Sequence, residues 1–336
     1  MSEAVPDKKG LLELAGRLAG KRVLVYGDFV LDEFLFGQID RISREAPVFI
    51  VAHERSDFRP GCAANAVANL AALGAVPLPC GILGDDEAAD QLAGLFAATG
   101  IDTDNLERVK SARTAVKTRV IAGGAHSIKQ QIVRIDRLNG ASGGPQQDES
   151  IRRHLKSLLP ECEAVLISDY GIGSLNAETA SWLVLEARTA GLPVTADSRY
   201  RMLNYAGATA MTPNQPEVEQ CLGRSIGNAD EMHHAGKELL SKLGCEALVI
   251  TRGGDGMCLF GPSTGPLDIP AFGNEEVVDV TGAGDTVIAA FTLGIAAGGG
   301  FENAARLANV AGGLTVLKKG TSTVSAEELR AALGGS

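Results

Sequence analysis

Residues Val280 to Thr286 read Val-Thr-Gly-Ala-Gly-Asp-Thr, and the apolar stretch Val287 to Leu293 follows. Two glycines thus stand at a loop-to-helix junction, with a carboxylate just inside the first turn. Amide N–H groups at a helix start lack intrahelical acceptors, and the helix dipole adds partial positive charge there. Such a junction receives phosphate without side-chain cations. Gly282 and Gly284 remove the Cβ atoms that would obstruct the approach. Asp285 repels phosphate, so its place beside such a site suits a base that takes a proton from a hydroxyl during phosphoryl transfer. The alternative is an acidic residue that only complements the helix dipole.

Other segments carry oxygen-rich side chains at comparable junctions. Gly27-Asp-Phe-Val-Leu-Asp32 places Asp28 and Asp32 just after a strand-like run, where carboxylates suit hydroxyl recognition or a turn. Arg59-Pro-Gly-Cys-Ala-Ala-Asn65 leads into a helix of small residues. There Gly61 would let the backbone near a ligand and Asn65 would offer both donor and acceptor, unless the small residues serve close packing. Asn214 and Glu217 stand three residues apart at a proline-marked helix start. They fit either a hydrated magnesium ion or a reciprocal capping box. Thr251-Arg-Gly-Gly-Asp-Gly256 reads as a hairpin turn, or as a turn whose N–H groups touch nucleotide phosphates. No G-x-x-x-x-G-K-[ST] loop occurs, and no G-x-G-x-x-G follows the first strand, which argues against P-loop and dinucleotide-binding mechanisms.

These residues need a frame. Short β-branched runs (22–26, 164–168, 192–195, 247–251) alternate with helical patterns near 62–73, 86–98, 176–190, 229–243, 285–298, 302–318 and 325–333. The alternation predicts a single α/β domain over residues 1–336, with a mostly parallel sheet covered by helices on both faces. Ligands of such sheets collect beyond the carboxyl ends of the strands. Residues 29–54 and 113–137 break the rhythm with strand-like runs, and predict a small antiparallel β-sheet that projects as a lid and offers a surface for a second subunit. Leu138 to Pro145 reads as the loop returning to the core.

A net charge of −10 argues against nucleic acid or an anionic membrane as partner. No apolar run is long enough to span a bilayer, and the polar N-terminus lacks the pattern of a signal peptide. Six scattered cysteines without a C-x-x-C pair predict free thiols in a cytoplasmic protein. His233-His234 reads as a solvated helix face.

Taken together, these segments resemble the ribokinase-like (PfkB) family of sugar kinases over about residues 20–330. Gly-Cys-Ala-Ala-Asn from Gly61 is similar to the family's N-terminal signature, and Asp279-Val-Thr-Gly-Ala-Gly-Asp285 to its C-terminal one. Finer motifs resemble the branch that phosphorylates D-glycero-β-D-manno-heptose 7-phosphate: Gly27 to Asp32, Arg41 to Val48, Gln130 to Asp136, Ser168 to Gly171 and Lys319 to Ser325.

The resemblance implies transfer from ATP with Mg2+, and a monovalent cation as a further candidate. It implies Asp285 as the base on the anomeric hydroxyl and the N–H groups of Gly282, Ala283 and Gly284 as the anion hole. Asn214 and Glu217 would serve the Mg-ATP phosphates, while Thr251, Gly253, Gly256 and Asn309 would line the nucleotide site. Asp28, Asp32, Gly61 and Asn65 would hold sugar hydroxyls. Arg134, and after it Lys129, would meet the 7-phosphate. Some members of the branch carry a nucleotidyltransferase half after the kinase, and this chain resembles the stand-alone form, with adenylylation left to another protein. Three departures stand out: Cys62 at the second signature glycine, Asp197-Ser-Arg199 where Asp-Pro-Lys is usual, and Arg44 in place of a proline.

Overall fold

A computed structural model describes residues 7–124, 128–138, 144–261, 265–273 and 277–334. Its strands are β1 (Arg22–Gly27), β2 (Phe29–Ile42), β3 (Phe49–Cys62), β4 (Val76–Gly84), β5 (Leu106–Val109), β6 (Ala115–Gly123), β7 (Gln130–Arg137), β8 (Ala164–Asp169), β9 (Val194–Ser198), β10 (Ala210–Met211), β11 (Ala247–Thr251), β12 (Met257–Phe260) and β13 (Leu267–Ile269). The helices are α1 (Lys8–Gly16), α2 (Ala63–Ala72), α3 (Glu87–Ala97), α4 (Pro145–Leu158), α5 (Ala177–Thr189), α6 (Gln215–Leu222), α7 (Ala229–Leu243), α8 (Ala283–Ala296), α9 (Gly300–Thr315) and α10 (Ala326–Ala332).

The main sheet runs β13-β12-β11-β10-β9-β8-β1-β4-β5, parallel except at β11–β12 and β12–β13. Its strands are apolar on both faces because both faces are covered. Val23 and Val25 of β1 join the core built with α2, α8 and α9, whereas Leu24 and Tyr26 join the opposite core with α4, α5 and α7. This α/β architecture brings the carboxyl ends of β1, β8, β9, β10 and β11 to one edge. The seven expected helices are present, with ends shifted by at most three residues, while α1 and α4 had no matching expectation. Of the expected return loop, residues 139–143 lie outside the described residues. Among the described residues, no helix is long and apolar enough to cross a membrane.

The second, smaller sheet has the order β3-β2-β6-β7. Its two outer pairings are antiparallel, and the central pairing of β2 with β6 is parallel because the chain passes through the main domain between them. The lid also reaches further inward than its expected limit at residue 54, since β3 continues to Cys62 and feeds directly into α2. Alternation gives this sheet two distinct faces. Asp32, Phe34, Arg59, Lys117 and Arg119 share one face through the strand register. Leu31, Glu33, Phe58 and Val116 share the other, where they line a cavity of about 620 Å³ with Asp86 and Arg113.

Candidate active site

Helix α8 begins where two segments meet at close range. Gly282 caps it with φ 80° and ψ 4°, and a Cβ there would lie 2.6 Å from Asn65 Nδ2. Glycine is required both for the left-handed backbone and for the contact with α2. A Cβ on Gly284, by contrast, would meet open space. The N–H groups of Gly282 and Gly284 have no acceptor among the described residues, but Ala283 donates to Val280 O at 3.2 Å. The expected three-amide anion hole thus presents two free amides, because the tight turn into α8 engages the third.

Asp285 is 3% exposed. Its Oδ2 accepts from Asn65 Nδ2 at 2.9 Å and its Oδ1 from the Tyr170 hydroxyl at 2.7 Å. Burial raises the Asp285 pKa to about 6; the bonds from Asn65 and Tyr170 pull it down, the charge of Asp32 pushes it up, and Lys117 lowers it. A carboxylate so placed is ionised at neutral pH yet far more basic than a solvated aspartate. That is the requirement for a general base.

The two upstream carboxylates differ sharply. Asp28 is fully buried, and its oxygens accept from Tyr170 N at 2.8 Å, Ile172 N at 3.4 Å and the Ser174 hydroxyl. Burial raises its pKa. Asp28 therefore anchors the loop that carries Tyr170, and its oxygens turn inward instead of toward a sugar hydroxyl as expected. Asn65 is likewise committed, to Asp285 and Gly282 O on one side and to Asn69 on the other. Asp32 keeps an oxygen in reserve: Oδ2 accepts from Thr321 at 2.7 Å, while Oδ1 lies 2.8 Å from Arg119 Nη1 in an ion pair too misaligned to count as a hydrogen bond. A buried carboxylate oxygen without a donor marks a place for a polar ligand or water. Gly61 serves this geometry, since a Cβ there would sit 2.8 Å from Asp32 Cγ.

On the nucleotide side, Asn214 and Glu217 do form the capping box, with bonds of 3.0 and 2.9 Å. Asp197, at the carboxyl end of β9, is paired through its backbone, but its carboxylate has no hydrogen-bond partner among the described residues. Burial first, then the charges of Glu217 and Asp285, push its pKa well up. Burial likewise raises that of Glu217, against the pull of Asn214 and Arg199. Crowded carboxylates whose burial and mutual repulsion outweigh the pull of Arg199 fit a hydrated divalent ion, which needs few direct protein ligands. The remaining expected nucleotide residues gather round the end of β11. Thr251 bridges to Asn214, Gly253 opens a one-turn link to β12, and Gly256 packs so tightly that a Cβ would lie 2.1 Å from Ile269 O. Asn309 donates to Pro270 O at 2.8 Å beside that link.

The profile of the pfkB family of carbohydrate kinases matches residues 24–329. The chain belongs to this family. It is 44% identical over 313 residues to the bifunctional protein HldE of Alkalilimnicola ehrlichii and 41% identical over 313 residues to that of Desulfatibacillum aliphaticivorans, covering 93% of this chain in each case. In both cases it spans 63% of the relative's length. Among solved structures, phosphofructokinase-2 from Escherichia coli superposes with a TM-score of 0.76 at 19% identity, covering 94% of this chain and 98% of that one. Arabidopsis thaliana ribokinase gives 0.73 at 20%, covering 95% and 100%. The fold is thus ribokinase-like, and the protein is a carbohydrate kinase.

The lid of this pfkB kinase carries two cations that lie deeper than Lys129 and Arg134. Lys129 pairs with Glu54 and Arg134 with Asp136 (2.8 and 3.0 Å), on the outer part of the lid. Lys117 and Arg119, by contrast, are buried on the face shared with Asp32, and Arg119 stands directly opposite Arg134 in the strand register. The signal for both was present as Val116-Lys-Thr-Arg119, two cations at strand spacing in an apolar run. Tyr170 lies within the Ser168 to Gly171 motif, which by itself assigns it no role. Its bond to Asp285 depends on a loop conformation that no local pattern encodes. A separate cluster of His233, Cys258 and Asp268 has potential ligand atoms within 4.8 Å of one another. Arg252 lies 3.3 Å from Asp268 and already supplies positive charge, so the group reads as an ion-pair network.

Proposed function

We propose that this kinase transfers the γ-phosphoryl of ATP to the anomeric C1 hydroxyl of D-glycero-β-D-manno-heptose 7-phosphate, giving the 1,7-bisphosphate used toward ADP-heptose and the lipopolysaccharide core. The observation that carries the reading is Asp285, a buried base held by Asn65 and Tyr170 at the start of a helix with free amides. The heptose-type motifs and the relatives named HldE support the choice of sugar.

In this reading Asp285 takes the C1 hydroxyl proton, while the amides of Gly282 and Gly284 meet the charge of the transferred phosphoryl. Asp32 accepts from a sugar hydroxyl through Oδ1. Asn214, Glu217 and Asp197 are the residues that would hold hydrated Mg2+, which supplies charge neutralisation for the ATP phosphates. Thr251, Gly253, Gly256 and Asn309 line the nucleotide, and a monovalent cation near the α8 turn is a further component. The distal phosphate is received on the lid face by Arg119, with Arg134 and Lys129 further out.

The reading includes a homodimer through the lid, on which Ile42, Val48, Phe49 and Ile135 are all more than half exposed. It also places the protein in the cytoplasm, in line with six free cysteines. Light scattering on the purified protein measures the oligomer.

Phosphorylation rates across a panel of sugars test the substrate. The heptose 7-phosphate should exceed the unphosphorylated heptose, ribose, fructose and fructose 6-phosphate by orders of magnitude in kcat/KM. Equal or greater turnover of any of the others overturns the assignment.

A further inference from the structure

Two features beside Asp285 are unusual, and they touch. Cys62 is the residue before α2, with φ 55° and ψ −128°. That backbone region favours glycine and strains any residue with a Cβ. The only other described non-glycine residue at positive φ is Asp7, in the ordinary left-handed region that aspartate tolerates. The second feature is Lys117, a lysine 8% exposed whose ammonium reaches no carboxylate within ion-pair distance among the described residues. Among those residues its one hydrogen-bond partner is the Cys62 thiol, to which it donates at 3.0 Å. Buried cations are ordinarily paired, and one left without an anion awaits one from a ligand.

The surroundings say which anion. Lys117 Nζ lies 4.8 Å from the centre of the Tyr170 ring, and the hydroxyl of that ring is bonded to Asp285. Its charge is the smallest of the named influences on Asp285 and acts to lower that residue's pKa, against the larger upward push of burial. The ammonium therefore stands on the Tyr170 side of Asp285, the residue that on the proposed reading takes the proton of the acceptor hydroxyl. A phosphate on C7 of a seven-carbon sugar is at the opposite end of the molecule from the C1 oxygen and belongs further along the lid. A thiol suits the holding role because it accepts a hydrogen bond only weakly and carries no charge. Burial pushes the Cys62 pKa up, so it remains a neutral thiol.

We infer that Lys117 is a catalytic cation that meets the phosphoryl group in transfer, and that Cys62 is a positioning residue that aims it without neutralising it. The inference rests on Asp285 being the base. It names a lid strand, in addition to the α8 amides, as a source of charge stabilisation for the transition state.

Steady-state kinetics of Lys117→Met, Cys62→Gly and Cys62→Ser test it, with Tm and ATP binding measured on each. Lys117→Met should lower kcat about 10²-fold, the scale for losing one charge-stabilising donor, and leave the acceptor KM within a few-fold. Cys62→Gly should raise Tm by relieving the backbone and still lower kcat about tenfold, because the ammonium loses its aim. Cys62→Ser, whose hydroxyl accepts the same bond, should keep most of kcat. A merely structural cysteine would show Tm and kcat moving together.

Unchanged kcat in Lys117→Met overturns the proposal. So does a loss confined to the KM of phosphorylated acceptors, which would assign Lys117 to the distal phosphate. If Lys117→Met fails to fold, Cys62→Gly decides: wild-type kcat there refutes the positioning role. Asp285→Asn keeps the two readings apart, since an active Asp285→Asn removes the base assignment itself, whatever Lys117 does.

Discussion

Tyr170 donates its hydroxyl hydrogen to Asp285 at 2.7 Å, while its backbone amide is held by Asp28 at 2.8 Å. One residue thus links a fully buried anchor just after the first strand to the carboxylate that would take the substrate proton. The link both orients that carboxylate and stabilises its ionised form.

Removing the hydroxyl should therefore move an ionisation. Tyr170→Phe deletes a bond that lowers the Asp285 pKa, so the pKa rises from about 6. The acidic limb of the kcat profile should shift to higher pH by about one unit, with activity largely restored at pH 8. A profile that superposes on wild type would show that the bond has no role in turnover.

Asp285→Asn should lower kcat about 10²–10⁴-fold while ATP binding persists. The same variant makes a stability prediction. The folded-state pKa of Asp285 is raised, so the folded protein binds an extra proton between its unfolded pKa and about 6. The stability tied to that proton is present at low pH and lost as pH rises through about 6. An asparagine side chain has no charge to bury, so the variant should be more stable than wild type at pH 8, by about 1–3 kcal/mol, with the gain vanishing toward pH 4. Denaturant melts at both pH values check the sign.

Asp28 and Asp32 should respond differently to the same change. Asp28→Asn disturbs three internal bonds and should cost about 1–3 kcal/mol of stability with only indirect effects on KM. Asp32→Asn should raise the sugar KM about tenfold or more, and much more than the ATP KM, through the oxygen that has no donor among the described residues. Equal sugar KM effects from the two would refute the division of labour.

Glu217→Gln and Asp197→Asn should each raise the free Mg2+ needed for half-maximal rate by about tenfold, the loss of one carboxylate beside a hydrated ion. Rate measured against free Mg2+ at saturating ATP separates this from weakened nucleotide binding. An unchanged Mg2+ dependence in Asp197→Asn would remove that residue from the metal site.

What the sequence disclosed follows from the range of the interactions involved. The main sheet was readable because buried parallel strands are continuous apolar runs, and the α8 junction because glycine and aspartate at a helix start are a local pattern. The capping box of Asn214 and Glu217 was readable for the same reason, being complete within four residues. The roles of Asp28 and Asn65 were not, because both depend on partners more than a hundred residues away, at Tyr170 and Asp285. That Lys117 and Arg119 share the face of Asp32 was not legible either. A cation in an apolar strand gives no sign of which face it points to until the register is known.

Strands β2 and β3 each run unbroken for 14 residues from the reaction centre to the tip of the lid. Asp32 and Arg59 ride on the inner half of this ribbon, whereas the register slips at Phe36/Gly37 and Ile39/Arg41 fall in the outer half. At such slips the ladder is locally disrupted and the strand bends and twists more strongly. The inner half therefore keeps a regular register from the reaction centre outward, and the irregular pairing is confined to the outer half. Changes at the outer edge can thus retune what the kinase touches without altering the register that holds Asp32 and Arg59.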